Sequence, residues 1–113
     1  MKIINNTKNT ILAEEAYIAD TVFTRVKGLL GKQSFDEGSA LIIKPCNSIH
    51  TFFMRFTIDV VFVNSNNAVV KILPKIAPNK ISGVYFKAYF AIELPAGTVE
   101  KTSTIIGDLL EFK

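Results

Sequence analysis

The sequence predicts a mainly β protein: a single-domain barrel or sandwich with one or two short helices. Its 113 residues, 49% hydrophobic and 20% charged, suit one globular domain spanning residues 1–113. Short stretches rich in Val, Ile, Phe and Thr recur between turn-forming clusters, a pattern typical of a β domain. The longest apolar run, 48–63, contains His50, Arg55 and Asp59, too many polar groups for a membrane-spanning helix.

The central run is interpreted as two strands, 48–56 and 58–63, divided near Thr57. Aromatic residues occupy both parities of the first strand, so we expect it to be covered on both sides. The turn-rich segment 64–67 predicts a hairpin between 58–63 and 68–73, ended by Pro74 and Pro78.

The rest of the chain divides at its turn signals into further elements. A first hairpin is expected around the polar link between residues 4 and 11. Asp20 and Gly31 bound a predicted helix over 21–30, and Thr98 begins a second over 98–105. The remaining predicted strands are 1–4, 11–18, 40–43, 81–94 and 109–112.

Charge and cysteine content narrow the class of partner. The net charge is +3, but the lysines are scattered and only Arg25 and Arg55 are arginines, so nucleic acid is not an expected partner. Because the longest apolar run is interrupted by charges, a membrane is not an expected partner either. Cys46 is the sole cysteine and excludes an internal disulfide. The N-terminus shows no signal-peptide pattern, so a cytoplasmic location is expected.

The sequence gives little support for a metal site or for a catalytic nucleophile. Cys46 and His50 are the strongest soft ligands and lie about 13 Å apart on an extended strand, so no metal or cofactor is expected. Ser48, His50 and Asp59 are the residue types of an acyl hydrolase. On a strand, however, Ser48 and His50 would be about 6 to 7 Å apart, and no Gly-x-Ser-x-Gly elbow is present.

Arg55 and Asp59 are the more informative pair, because charges in an apolar run are expensive to bury without partners. They can pair with each other and fix strand register, or Arg25 and Glu93 can serve as partners. A sharper hypothesis is a polar pocket against Phe52, Phe53 and Tyr85 or Tyr89. The candidate ligand-binding residues are His50, Met54, Arg55, Asp59, Arg25 and Glu93.

Four blocks of sequence in a fixed order also resemble a known family. They are Arg25 with 28–32, then 48–56 with 58–62, then 93–97, then 107–108. Together they resemble the domain-of-unknown-function 192 family over residues 13–112. This chain has Thr57 where the family usually has Pro, Leu30 for a common Met and Lys32 for a common Arg. The resemblance implies a compact β barrel or sandwich of jelly-roll type, and it implies no activity.

Three function hypotheses follow. The first is a non-enzymatic module that binds a small molecule or a peptide in a pocket near residues 48–59. The second is a small hydrolase or metal-assisted enzyme that uses His50 with Asp59 or Glu93. The third is an interaction protein that offers a bare sheet edge to a partner.

Overall fold

The computed structural model describes residues 1–21, 29 and 34–113, and in these residues it shows eight strands in two sheets with one short helix. This confirms the predicted mainly β fold. The elements are β1 (Ile3–Asn5), β2 (Thr10–Ala13), β3 (Glu15–Ala19), β4 (Ser39–Ile43), β5 (Ile58–Val63), β6 (Val69–Ile76), β7 (Phe90–Pro95), α1 (Thr98–Lys101) and β8 (Leu110–Phe112).

The strands of the described residues form two separate sheets and do not close into a barrel. The smaller sheet has the order β2-β1-β8, and the larger has the order β3-β4-β7-β5-β6. Strands β3 and β4 run parallel, whereas the other paired strands are antiparallel. Strands β5 and β7 therefore lie inside the larger sheet, which explains why nearly all of their residues are buried.

One hydrophobic core, here called the sheet–sheet core, lies between the two sheets. Alternate residues of β4, β5 and β7 point into it, as the two-residue strand period requires. Residues from both sheets contribute, among them Ile3, Leu110, Ile42, Val61 and Ile92.

A second core, here called the ribbon-side core, covers the opposite face of the larger sheet. The other parity of β5 and β7 supplies Val60, Phe62 and Ala91. Segments outside the sheets cover them: residues 47–54 and 79–86, joined by backbone hydrogen bonds and here called the ribbon. Ribbon residues Ile49 and Met54 are buried in this core.

Several predicted elements are confirmed. The first hairpin forms between β1 and β2, and β5 pairs with β6 across the turn at 64–67. Residues 39–43 form the predicted strand, and the chain ends in β8. The predicted strand 11–18 is interrupted at Glu14, where the chain passes from one sheet to the other. The predicted helix 21–30 falls almost entirely on residues outside the described part of the chain.

Other predictions were wrong. Residues 48–56 do not form a strand: they contain a turn at 52–53 and one isolated bridge, His50 to Ile81. This segment is covered on one side only, since Phe52 and Phe53 are exposed. Pro74 does not end β6, because β6 is an edge strand that does not need every N–H.

The predictions for the C-terminal third also need correction. Of the predicted strand 81–94, only Phe90–Pro95 is extended within a sheet. The predicted helix 98–105 stops at Lys101, and its N-cap is Gly97, at a φ of 94°. The Thr98 hydroxyl donates to the carbonyl of Pro95 at 2.7 Å. Thr98 therefore fastens the preceding turn and does not cap the helix.

Candidate functional site

Asp59, near the start of β5, is buried and fully used in holding the fold. Its Oδ1 accepts the backbone N–H of Lys75 at 2.8 Å. Its Oδ2 accepts the N–H groups of Gly97 at 3.1 Å and Val99 at 2.9 Å. One carboxylate thus ties β6 and the turn into α1 to the middle of the sheet. Asp59 forms no ion pair with Arg55, so the predicted pairing of these two residues was wrong.

Asp108 is a second buried carboxylate with a complete set of partners. It accepts from the Asn5 side chain at 2.9 Å, from the Ile105 N–H at 3.0 Å and from the Lys8 ammonium at 2.9 Å. Burial raises the pKa of Asp108, but these hydrogen bonds and the charge of Lys8 outweigh it, and its pKa lies below the ordinary value. Asn5 also donates to Thr104, which completes a structural network.

Glu93, in β7, has a different environment. In the sheet register it stands beside Val60 of β5 and Leu41 of β4, so its side chain lies on the ribbon-side face, opposite to Asp59. It is 3% exposed, and its carboxyl forms no ion pair or hydrogen bond with another described residue. Because no side-chain oxygen of the described residues is both fully enclosed and without a partner, the carboxyl oxygens keep a slight contact with solvent. Burial alone raises the pKa of Glu93 to about 7. Glu93 was also a possible partner of Arg55, but no ion pair joins these two residues.

The other predicted site residues do not gather around one point. Met54 is buried in the ribbon-side core, on the same side of the sheet as Glu93. His50 and Arg55 are exposed. The His50 ring stacks on Phe52 with centroids 5.1 Å apart, and its Nδ1 accepts the Phe52 N–H at 3.3 Å. Arg25 lies outside the described residues.

The aromatic residues predicted to line the pocket also lie on different sides of the ribbon. Tyr85 packs on Phe62 in the ribbon-side core, with ring centroids 4.8 Å apart. Phe52 and Phe53 lie on the outside of the ribbon. These described side chains therefore do not share one pocket, and of the predicted site residues only Met54 and Glu93 are placed together on the ribbon side of the sheet.

The ribbon itself was missed by sequence reasoning. The Thr51 hydroxyl donates to the Ala77 carbonyl at 2.6 Å and accepts the Lys80 N–H at 2.9 Å. The Ser82 hydroxyl accepts the Ile49 N–H at 2.8 Å. No local pattern reveals these contacts, because they join residues 26 to 33 positions apart. Their presence shows that the polar groups inside the ribbon are satisfied.

A cleft of about 380 Å³ opens at one end of the ribbon. It is lined by Pro45, Cys46, Asn47, Ala88 and Tyr89. Cys46 and Ala88 also pack against the ribbon-side core, so the cleft adjoins the layer that contains Glu93. The ammonium of Lys44 lies 5.2 Å from the centre of the Tyr89 ring, close enough for a cation–π contact.

Two further properties concern the class of protein. Within the described part of the chain, no three His, Cys, Asp or Glu side chains come together as a metal site. The same residues contain no helix of sufficient length and apolar character to cross a membrane.

Comparison with known proteins places the chain in a family without an established function. A UPF0127 protein of Thermococcus sibiricus is 31% identical over 115 residues, covering 98% of this chain and 74% of the relative. UPF0127 protein PH1112 of Pyrococcus horikoshii is 33% identical and covers 97% of both chains. A crystallised protein of unknown function from Novosphingobium aromaticivorans shares the fold, with a TM-score of 0.86 over 99% of this chain and 84% of that one, at 16% identity.

The family model for DUF192, described as "Uncharacterized ACR", matches residues 3–112. The matched region includes each block of residues on which the sequence resemblance was based. The chain therefore belongs to the DUF192 family.

Proposed function

We propose that this protein is a non-enzymatic binding module whose recognition group is the Glu93 carboxyl. Its ligand is a small molecule or a peptide side chain that brings a cationic or hydrogen-bond-donating group. The observation that supports this proposal is the buried position of Glu93 without a polar partner among the described residues. The remainder of the site is apolar, which is the usual composition of a small-ligand pocket.

The energetic argument starts from the cost of burying a carboxyl group. Buried polar groups in native proteins are nearly always hydrogen-bonded, and exceptions concentrate at functional sites. Holding the pKa of Glu93 near 7 instead of 4.5 corresponds to about 3 kcal/mol of disfavoured ionisation. A ligand that donates a hydrogen bond or a positive charge to Glu93 recovers part of this free energy, and that gain favours binding.

The neighbours of Glu93 support a ligand of modest size. Ala91, two residues earlier on the same face of β7, presents only a methyl group beside the carboxyl. The covering layer is the irregular ribbon, and the cleft at residues 45–47 and 88–89 adjoins that layer. We therefore expect a ligand group to approach Glu93 from this side, without opening the sheet.

The enzymatic alternative has less support. A hydrolase that uses His50 needs a carboxylate to orient the imidazole, yet His50 is exposed, stacked on Phe52, and forms no ion pair with Asp59 or Glu93. The sheet-edge alternative also has less support, since Pro74 and Lys75 interrupt the β6 edge. We assign the module to the cytoplasm, a location that suits its single cysteine.

A ligand-observed NMR screen tests the proposal. The probes are alkylammonium and guanidinium fragments with their neutral alcohol and amide isosteres, at pH 8, where Glu93 is ionised. We expect cationic probes to bind the wild type, to bind about thirtyfold more weakly at pH 5.5, where little of Glu93 is ionised, and to fail to bind Glu93→Gln. Glu111→Gln, a change at a half-buried carboxylate of β8 in the other sheet, is the matched control and should keep binding. Equal binding to wild type and Glu93→Gln, or no binding by any probe, contradicts the proposal.

A further inference from the structure

The ribbon has two distinct faces. Backbone hydrogen bonds join its two segments: Tyr85 N–H to the Asn47 carbonyl and Ser82 N–H to the Ile49 carbonyl, both at 2.9 Å, and Thr51 N–H to the Lys80 carbonyl at 2.8 Å. Ile49 and Thr51 are buried on the inner face. The exposed ribbon residues form the opposite, outer face, which is directed toward solvent. They include Phe52, Phe53, Ile81, Val84 and Phe86.

This outer face is unusually apolar for an exposed surface. Phe86 is 88% exposed, Phe53 is 83% exposed and Ile81 is 73% exposed. Val84 and Phe52 add further exposed apolar area. Single exposed apolar residues are common, but a group of large side chains on one continuous structure indicates an interaction surface.

Backbone geometry at Phe53 provides independent support. Phe53 adopts a φ of 65°, in the left-handed region that an aromatic residue rarely occupies. The side chain gains no burial from this conformation, because it projects into solvent. A conformation that is unfavourable for both the backbone and the side chain points to a role for the exposed Phe53 outside the fold.

The charge around the ribbon is strongly one-sided. The ribbon segments and their immediate flanks, residues 45–57 and 77–89, contain three cationic residues and no Asp or Glu. The cationic residues are Arg55, Lys80 and Lys87, and all three are exposed. None of them forms an ion pair with another described residue. The surface is therefore complementary to a partner that is anionic as well as apolar.

We propose that the outer face of the ribbon docks on the surface of an anionic lipid bilayer. Phe53, Phe86 and Ile81 enter the interfacial region, and Lys80, Lys87 and Arg55 remain at the level of the headgroups. Exposed apolar side chains flanked by lysines are the usual composition of a peripheral membrane contact. The cytoplasmic leaflet carries the negative surface potential that this arrangement requires.

The shape and composition of the surface favour a bilayer over other anionic partners. The apolar side chains project outward as separate tips, whereas a helix or peptide partner is usually held in a groove. Ile81 and Val84 are aliphatic and cannot stack on nucleobases, but they partition well into acyl chains. This proposal departs from the sequence-based expectation of no membrane partner, because exposure of these residues follows only from the long-range pairing of the ribbon.

Vesicle flotation of the full chain tests the proposal. The probes are vesicles of phosphatidylcholine alone and with about 30% phosphatidylserine. We expect binding to the anionic vesicles, at least tenfold weaker binding to the neutral ones, and a marked loss between 50 and 300 mM salt. Phe53→Ser with Phe86→Ser should reduce binding at least tenfold, and Lys80→Gln with Lys87→Gln should remove most of the salt dependence.

The matched control is Ile105→Ser with Ile106→Ser, two residues that are 57% and 60% exposed outside the ribbon. This variant should bind within twofold of the wild type, with thermal unfolding measured for each variant. Failure of the wild type to float, or equal losses in the ribbon and control variants, overturns the proposal. Phe53-dependent binding of an acidic peptide or a single-stranded oligonucleotide, without flotation, assigns the surface to that partner instead. Glu93→Gln should float as the wild type does, so the membrane and ligand-binding proposals can fail separately.

Discussion

The two sides of the larger sheet treat their buried carboxyl groups in opposite ways. On the sheet–sheet side, Asp59 accepts three backbone N–H groups, and Asp108 also has a full set of partners. On the ribbon side, Glu93 is buried to the same degree with no partner in the described residues. Asp59 therefore stabilises the fold through its hydrogen bonds, whereas the carboxyl of Glu93 can still accept a hydrogen bond or a positive charge from a ligand.

The same contrast extends to the elements that cover each side. The sheet–sheet core is closed by a second sheet, whose strands satisfy one another's backbone groups. The ribbon-side core is covered by irregular segments held by a few long-range hydrogen bonds, with large apolar side chains directed outward. Irregular cover positioned by a rigid sheet is where binding residues are commonly found.

The largest effect is expected from Asp59→Asn. The amide keeps one acceptor but places an NH₂ group against backbone N–H donors, so we expect the free energy of unfolding to fall by about 3 to 5 kcal/mol. Urea unfolding at pH 7 measures it. Glu100→Gln, at an exposed carboxylate of α1, is the control and should change stability by less than about 0.5 kcal/mol. A loss below about 1 kcal/mol for Asp59→Asn would mean that Asp59 does not hold the fold, and the contrast with Glu93 would disappear.

The second effect concerns the pH dependence of stability at Glu93. Because the pKa of Glu93 is raised to about 7 in the folded protein, the folded state holds a proton that the unfolded chain has released between pH 4.5 and 7. Stability should therefore fall as pH rises through this window, by about 3 kcal/mol in total, and level off above it.

Glu93→Gln cannot ionise and isolates this contribution. We expect it to match the wild type within about 1 kcal/mol at pH 4.5 and to exceed the stability of the wild type by about 3 kcal/mol at pH 8. Urea unfolding at several pH values gives both curves, and contributions common to the two proteins cancel in the difference. Parallel curves would show that Glu93 has a charged partner or solvent in the folded state.

The sequence identified elements whose signals are local. The turn residues at 64–67 and the β-branched run before them were enough to find the β5–β6 hairpin. The run 48–56 has a similar composition, yet its backbone pairs with residues 79–85 and forms a ribbon. The same composition is buried on both sides in β5 and on one side only in 48–56. The difference depends on pairing partners about 30 residues away, which local propensity does not contain.

The candidate site was predicted in part for the same reason. The sequence selected Arg55 and Asp59 as charges within an apolar run and Glu93 as a possible partner. Asp59 and Glu93 are buried, whereas Arg55 is exposed. The sequence could not assign the two buried carboxyl groups to opposite faces, because strands covered on both sides read as continuous apolar runs without alternation. The sequence also did not reveal the hydrogen-bond donors to Asp59, because they lie 16 to 40 positions away along the chain.

A third prediction tests whether the ribbon opens independently of the larger sheet. Thr51→Val removes the hydroxyl that bonds to Ala77 and Lys80, and we expect the ribbon to open locally with a free energy lower by about 1 to 3 kcal/mol. Hydrogen exchange should accelerate at amides of residues 47–54 and 79–85 and stay unchanged in β5 and β7. Thr57→Val, the same change just beyond the ribbon, should leave ribbon exchange unaltered. Acceleration throughout the larger sheet would mean that ribbon and sheet open as one unit.

The smallest effect on stability is expected at Phe53, where the contribution of one residue to folding can be separated from its contribution to membrane binding. Asn tolerates the left-handed conformation better than Phe, so Phe53→Asn should raise the free energy of unfolding by up to about 1 kcal/mol. Phe86→Asn, a change at an equally exposed residue without positive φ, should bring no gain. Thermal unfolding compares the two, and vesicle flotation then shows whether both weaken binding. If Phe53→Asn is more stable than the wild type and no longer binds vesicles, Phe53 contributes to docking while it lowers the stability of the fold. No gain from Phe53→Asn would mean that the backbone at this position is not strained, and the case for docking would then depend on exposure and charge.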